Sequence, residues 1–235
     1  MKVVNYLNML VNRVKGDSFT IDSRVPLRYL LRFSLGKLFT MLYGRLLFPF
    51  GKRCFVHPSS VIKYRRGLLF GKNFRVDRWC HIDALSVEGI RLGENVSVGK
   101  YTTIECTGSL MHLGKGLVAG NNVGLGSRCH YGCAGGVEIG DDTIVGNYSS
   151  FHSENHNFSD PDTPIRKQGV NHKGIKVGAG CWIGAKATFL DGSSVGDGCV
   201  VAAGSVVRGN FEDGSIIGGV PAKVIGMRPG YVKIV

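Results

Sequence analysis

The stretch VGAGCW-IGAKAT-FLDGSS-VGDGCV-VAAGSV-VRGNFE, which opens at Val177 and runs past Phe211, decides the fold. Each group of six begins with an apolar residue: Val177, Ile183, Phe189, Val195, Val201, Val207. The fifth place is small in the first five groups (Cys181, Ala187, Ser193, Cys199, Ser205), and Phe211 breaks the rule in the last. Gly or another small residue often takes the second place. A short fixed period marks a solenoid, and a period of six marks a β-helix. Three short strands can wrap a triangular prism, one group to each flat face. The first residue then points into the narrow interior and the fifth sits at a corner too tight for a bulky side chain. Successive coils stack about 4.8 Å apart, the ordinary strand spacing. Cys181 and Cys199 fall one coil apart at the same place, and read as small apolar fillers.

Working outward, the period recurs in weaker form. Phe70, Val76 and Ile82 are six apart, as are Leu92, Val98 and Ile104. Ala119 and Leu125 follow, then Ile139, Val145 and Phe151, with insertions near Gly108 and Gly135 resetting the phase. After Phe151 the chain leaves the pattern through HSENHNFSDPDTPIRKQGVNHKGI, an excursion over 152–174. It is polar and holds two prolines, so it cannot follow a prism face. A loop carried on a rigid scaffold is where chemistry is usually placed. The expected fold is an all-β solenoid over 51–220, with an N-terminal helical segment (1–50) and a C-terminal tail (221–235).

The first fifty residues are of another kind. Leu7, Leu10, Val11 and Val14 have helical spacing. After Pro26 the run LRYLLRFSLGKLFTMLYGRLLF is apolar at helical intervals, with Arg24, Arg28 and Arg32 four apart. Lys37 and Arg45 add charge, and no acid follows Asp22 until Asp77. Two roles suit such a helix: covering an open end of the prism, or lying in a membrane interface over residues 24–48. No uncharged run reaches the ~18 residues of a spanning helix.

The chain has 235 residues, one domain plus appendages, and a net charge of +12, which favours an anionic partner. Nucleic acid is disfavoured, because no recognition helix or aromatic platform accompanies the charge. Seven cysteines without a pairing pattern suit a reducing, cytoplasmic setting.

The combination of hexads, SENH before the loop, then CWIGA, AAGSVV and GGVPAKVIG resembles the hexapeptide-repeat acyltransferases, and within them the sugar and polysaccharide O-acetyltransferases. The likeness covers roughly residues 55–228. It implies a left-handed parallel β-helix, a homotrimer with sites between neighbouring prisms, and acetyl-CoA as donor. His156 matches the family's catalytic histidine. Trp182 and Ala185 match the wall along which pantetheine lies, Ala203 and Gly204 continue it one coil above, and Lys223 matches a basic residue near the nucleotide end of CoA. Arg166, Lys167 and Arg228 are further phosphate candidates.

Acetyl transfer to a hydroxyl needs a base, since an alcohol is a poor nucleophile at neutral pH, and an imidazole is suited to it. His156 is the expected base. Glu154, Asn155 and Asp160 are candidates to orient it, with Glu154 the foremost. Asn147, Tyr148 and His152 are expected at the acceptor pocket. The acceptor implied is a carbohydrate, in its most specific form a lipid-linked oligosaccharide of surface polysaccharide biosynthesis. Three other readings compete. One is N-acetylation of a nucleotide-linked amino sugar. Another is a zinc enzyme of the β-helix carbonic anhydrase kind, using His130, His152 and His156. The last is a catalytically silent scaffold.

Overall fold

The structure, a computed structural model, describes residues 21–22 and 24–231. The helical spacing of Leu7 to Val14 lies outside the described residues. From Cys54 onward the chain is a left-handed parallel β-helix of three faces. The first face stacks Cys54–Val56, Phe74–Val76 and Ser97–Val98, then Ile144–Val145, Trp182–Ile183, Val200–Val201 and Ser215–Gly219. Single bridges through Gly124, to Ser97 below and Ile144 above, join its two halves. The second face runs from Val61–Lys63 to Val206–Val207 and the third from Leu68–Phe70 to Asn210–Phe211, each seven strands deep.

The hexad expresses this geometry. All six first-place residues from Val177 to Val207 are buried, and so are Cys181, Ala187, Ser193, Cys199 and Ser205 at the corners. The second place is small because the next coil lies directly against it: a Cβ on Gly184 would come within 2.5 Å of the Ala203 backbone nitrogen. Aromatic rings fill the wider part of the interior. Tyr131, Phe151 and Phe189 are neighbours in register along the second face, and their rings stack at centroid distances of 4.7 and 4.6 Å. The Tyr131 hydroxyl donates to the Leu125 carbonyl at 2.9 Å, which satisfies the polar end of that column.

Corners require left-handed backbone, and the sequence meets the need with short polar side chains. Asn73, Asn95, Asn122 and Asp142 all have φ near +60°, a region these residues tolerate. Each amide donates to the next side chain, Asn73 to Asn95, Asn95 to Asn122 and Asn122 to Asp142, every bond 2.8 Å. The other corner preceding the second face carries bulkier residues in the same conformation: Trp79, Tyr101, Arg128, Tyr148 and Lys186.

All seven cysteines are buried and unpaired. Burial pushes the Cys129 thiol up to about 11, so it is held protonated.

A helix, Leu27–Leu47, starts after Pro26 and ends at Phe48, whose N–H donates to the Gly44 carbonyl at 2.9 Å; Pro49 disfavours its continuation. Gly44 lies directly on Cys54, where a Cβ would meet the Cys54 carbonyl at 2.8 Å, and Tyr43, Leu47 and Phe48 pack on the core. This half of the helix therefore covers the solenoid's first coil. The opposite side faces solvent and carries further large apolar side chains, Leu31, Leu35, Leu38, Leu42 and Leu46. At the far end Ala222–Met227 pairs antiparallel with Ser215–Gly219, so part of the stretch assigned to the tail is the closing strand of the first face.

Candidate active site

The excursion leaves the second face after Ser150–His152 and returns at Ile175–Val177. It is an arm with its own order. Asn155–His156 pairs antiparallel with Val170–Asn171, Asn155 opposite Asn171 and His156 opposite Val170. Gln168 fastens the outer part by donating to the Asp160 and Thr163 carbonyls at 2.8 and 2.6 Å. The root is held by Asp191, which is not among the residues expected at the site. Its carboxylate accepts from the Lys173 and Gly174 N–H groups, each at 2.8 Å, and from the Asn155 side-chain amide at 3.2 Å. Both limbs of the arm are thereby tied to one carboxylate on the next coil. The only sequence signal for it was an acid in the corner dipeptide Asp191-Gly192, which also fits an ordinary turn.

His156 is exposed on this arm, and its ring has no hydrogen bond or ion pair among the described residues. Asn155 is engaged with Asp191, and Asp160 accepts from the Asp162 N–H at 3.0 Å; neither orients the imidazole. Glu154 is half-buried and likewise makes no bond to it. His152 lies outward at the end of its strand, its ring 5.6 Å from that of His130. Burial first, and the neighbouring His130 second, lower its pKa below the ordinary 6.5. Among the described residues no three His, Cys, Asp or Glu side chains are placed to hold a metal ion.

The second group of site candidates lies elsewhere on the prism. Trp182 points outward from the first face and is 60% exposed. It stands in register between Ile144 and Val200, with Ile216 beyond, and Ile144 is also exposed. The result is an open apolar column of the kind that a partner or ligand covers. Of this column, only Trp182 stands within the CWIGA motif. Ala185 and Gly204 adjoin the column at the corner leading to the second face, where the Gly204 N–H donates to the Ala185 carbonyl at 2.9 Å. Ala203 and Gly204 thus lie one coil above Ala185, as their spacing implies. Nothing stands within 4 Å of a Cβ on Gly204, so the corner is open. Lys223 is exposed on the closing strand, opposite Gly218.

Asn147 and Tyr148 occupy the same corner one coil below Ala185, since the Lys186 N–H donates to the Asn147 carbonyl at 2.9 Å. The Tyr148 ring is shared with Arg128, whose guanidinium lies 5.9 Å from it and 4.4 Å from the Tyr101 ring. Asn147 and Tyr148 precede the strand Ser150–His152, and His156 follows it. One full width of the second face therefore separates the imidazole from the apolar column and its corner. Within one chain the candidates fall into two separate groups, not one pocket.

Comparison with known proteins agrees with this architecture. Residues 174–209 match the family described as bacterial transferase hexapeptide (six repeats). The chain is 30% identical over 166 residues to WbbJ of Escherichia coli, a protein named for lipopolysaccharide biosynthesis O-acetyl transfer, covering 67% of this chain and 81% of that one. It is 29% identical over 161 residues to Rv3034c of Mycobacterium tuberculosis, named as an acetyltransferase, and spans half the length of that relative. Among solved structures, the N-acyltransferase AntD of Bacillus cereus superposes with a TM-score of 0.52 at 20% identity, over 76% of this chain and 82% of its own. Hexads, corners, closing strand and these relatives agree: the chain belongs to the hexapeptide-repeat acyltransferase family.

Proposed function

We propose that the protein is an acetyl-CoA-dependent O-acetyltransferase acting on a carbohydrate hydroxyl in surface polysaccharide biosynthesis. The observation that carries the reading is the pair of half-sites. One is an exposed imidazole on a fastened arm; the other is an open apolar column whose closing strand carries Lys223. A cyclic trimer, each arm of one copy reaching the column of the next, would unite them. The residues present suit the donor: Trp182 and Ile144 offer apolar wall to a pantetheine arm, Ala185, Ala203 and Gly204 leave room for it, and Lys223 offers a charge to a phosphate.

In the reaction the acceptor hydroxyl oxygen attacks the thioester carbonyl carbon while His156 takes the hydroxyl proton. The tetrahedral intermediate collapses, the carbon–sulfur bond breaks, and the CoA sulfur receives the proton from the imidazole. Asn147, Tyr148 and His152 line the acceptor side. A lipid-linked oligosaccharide is the acceptor this reading favours, and a cytoplasmic site follows from the donor and is supported by the seven unpaired thiols.

The test is transfer of radiolabelled acetyl from acetyl-CoA to a lipid-linked oligosaccharide fraction. His156→Ala should lower the rate on the order of 10²–10⁴-fold. The label should leave the product in mild base, as an ester does. A base-stable label would move the reaction to an amino sugar, and transfer within a few-fold of wild type by His156→Ala would remove the imidazole from its role.

A further inference from the structure

Residues 23–76 contain twelve Lys and Arg and no acid, so they hold as much positive charge as the whole chain's net +12. The fold gathers much of this charge at one end of the solenoid, around the solvent face of the Leu27–Leu47 helix. Leu31, Leu35, Leu38, Leu42 and Leu46 follow one another at three- and four-residue steps, which places them on one side. All are exposed, Leu46 to 75%. Arg28, Arg32 and Arg45 are interleaved with them, and none forms an ion pair among the described residues. Below the helix a cleft of about 570 Å³ opens between Phe50, Leu69 and Phe70, with Lys52, Arg65 and Arg66 at its rim. Phe50 is fully exposed.

A soluble surface gains nothing from such a stripe. An apolar row studded with cations matches one chemistry: acyl chains beneath a layer of phosphates. A second copy is a poorer occupant, since a self-paired interface would set this cationic end against itself. No helix among the described residues is long and apolar enough to cross a membrane, so the match is to a surface.

We propose that the N-terminal end of the solenoid is a docking surface for an anionic phospholipid bilayer. The leucine row enters the headgroup boundary, Arg28, Arg32 and Arg45 pair with lipid phosphates beside it, and the cleft below seats a further headgroup between Lys52, Arg65 and Arg66. This goes beyond the acyl-transfer reading and does not depend on it, because its readout is binding and not turnover.

The experiment is flotation of the full chain with vesicles of phosphatidylcholine, with and without phosphatidylglycerol. Wild type should float with the mixed vesicles and not with phosphatidylcholine alone, and added salt should weaken binding. Arg28→Glu/Arg32→Glu/Arg45→Glu should weaken it on the order of tenfold or more. Leu35→Ser/Leu42→Ser changes exposed positions only, and should also release the protein while its thermal melting stays at the wild-type temperature. Absence of flotation with mixed vesicles, or equal flotation of either variant, would overturn the proposal. So would a fall in oligomer mass on Leu35→Ser/Leu42→Ser, which would mean that a second copy covers the row.

Discussion

Phe151 lies fully buried between the rings of Tyr131 and Phe189. In a prism one strand wide on each face, no second layer of side chains can move in to fill a gap. Phe151→Ala should therefore cost about 3–5 kcal/mol, read as a fall in the denaturant midpoint. On the outer side of the same strand, partial desolvation of the otherwise exposed His152, and then the nearby His130, disfavour its protonated form. It should titrate by NMR below the ordinary 6.5, and His130→Ala should move its midpoint upward. The unfolded ring then binds a proton that the folded one refuses. Its contribution to stability is thus present above the ordinary value and is lost as pH falls through the depressed one.

The arm is the element on which the proposed reaction turns, and Asp191 is its anchor. Three donors from both limbs meet its carboxylate, so Asp191→Ala should leave the coils intact and loosen His156. On the proposed reaction, transfer should fall roughly tenfold to 10²-fold, the size expected when a catalytic group is misplaced by about an ångström. Asp191→Asn keeps an acceptor for the backbone donors and should retain more activity than Asp191→Ala; equal loss in both would deny the positioning role. The pairing of Asn155–His156 with Val170–Asn171 was not legible beforehand. Two residues on each side give no period, and a polar run with two prolines reads as irregular chain.

At the scale of the molecule, the proposed site, divided across the second face, predicts assembly. Sedimentation equilibrium should give three times the 25.4 kDa of the chain. Unfolding and refolding a mixture of His156→Ala and Trp182→Ala, each inactive alone, should restore part of the activity, because some interfaces then join an intact arm to an intact column. No recovery would place both half-sites in service of one chain.

The hexads by themselves determined the solenoid, its buried first places and its small corners, because a period of six is imposed by local bends and by the width of one face. The order of SENH, WIGA and PAK likewise marked the family. Only the tertiary structure decided that Asp191 holds the arm, that Ile144 extends the Trp182 column, and that the leucines of Leu27–Leu47 face solvent. Each of these depends on which residues of separate coils stand above one another, or on which side of a helix meets the first coil. Insertions of differing length between coils set that registration. No local pattern encodes it, because stacking joins residues far apart in sequence through backbone groups that every residue shares.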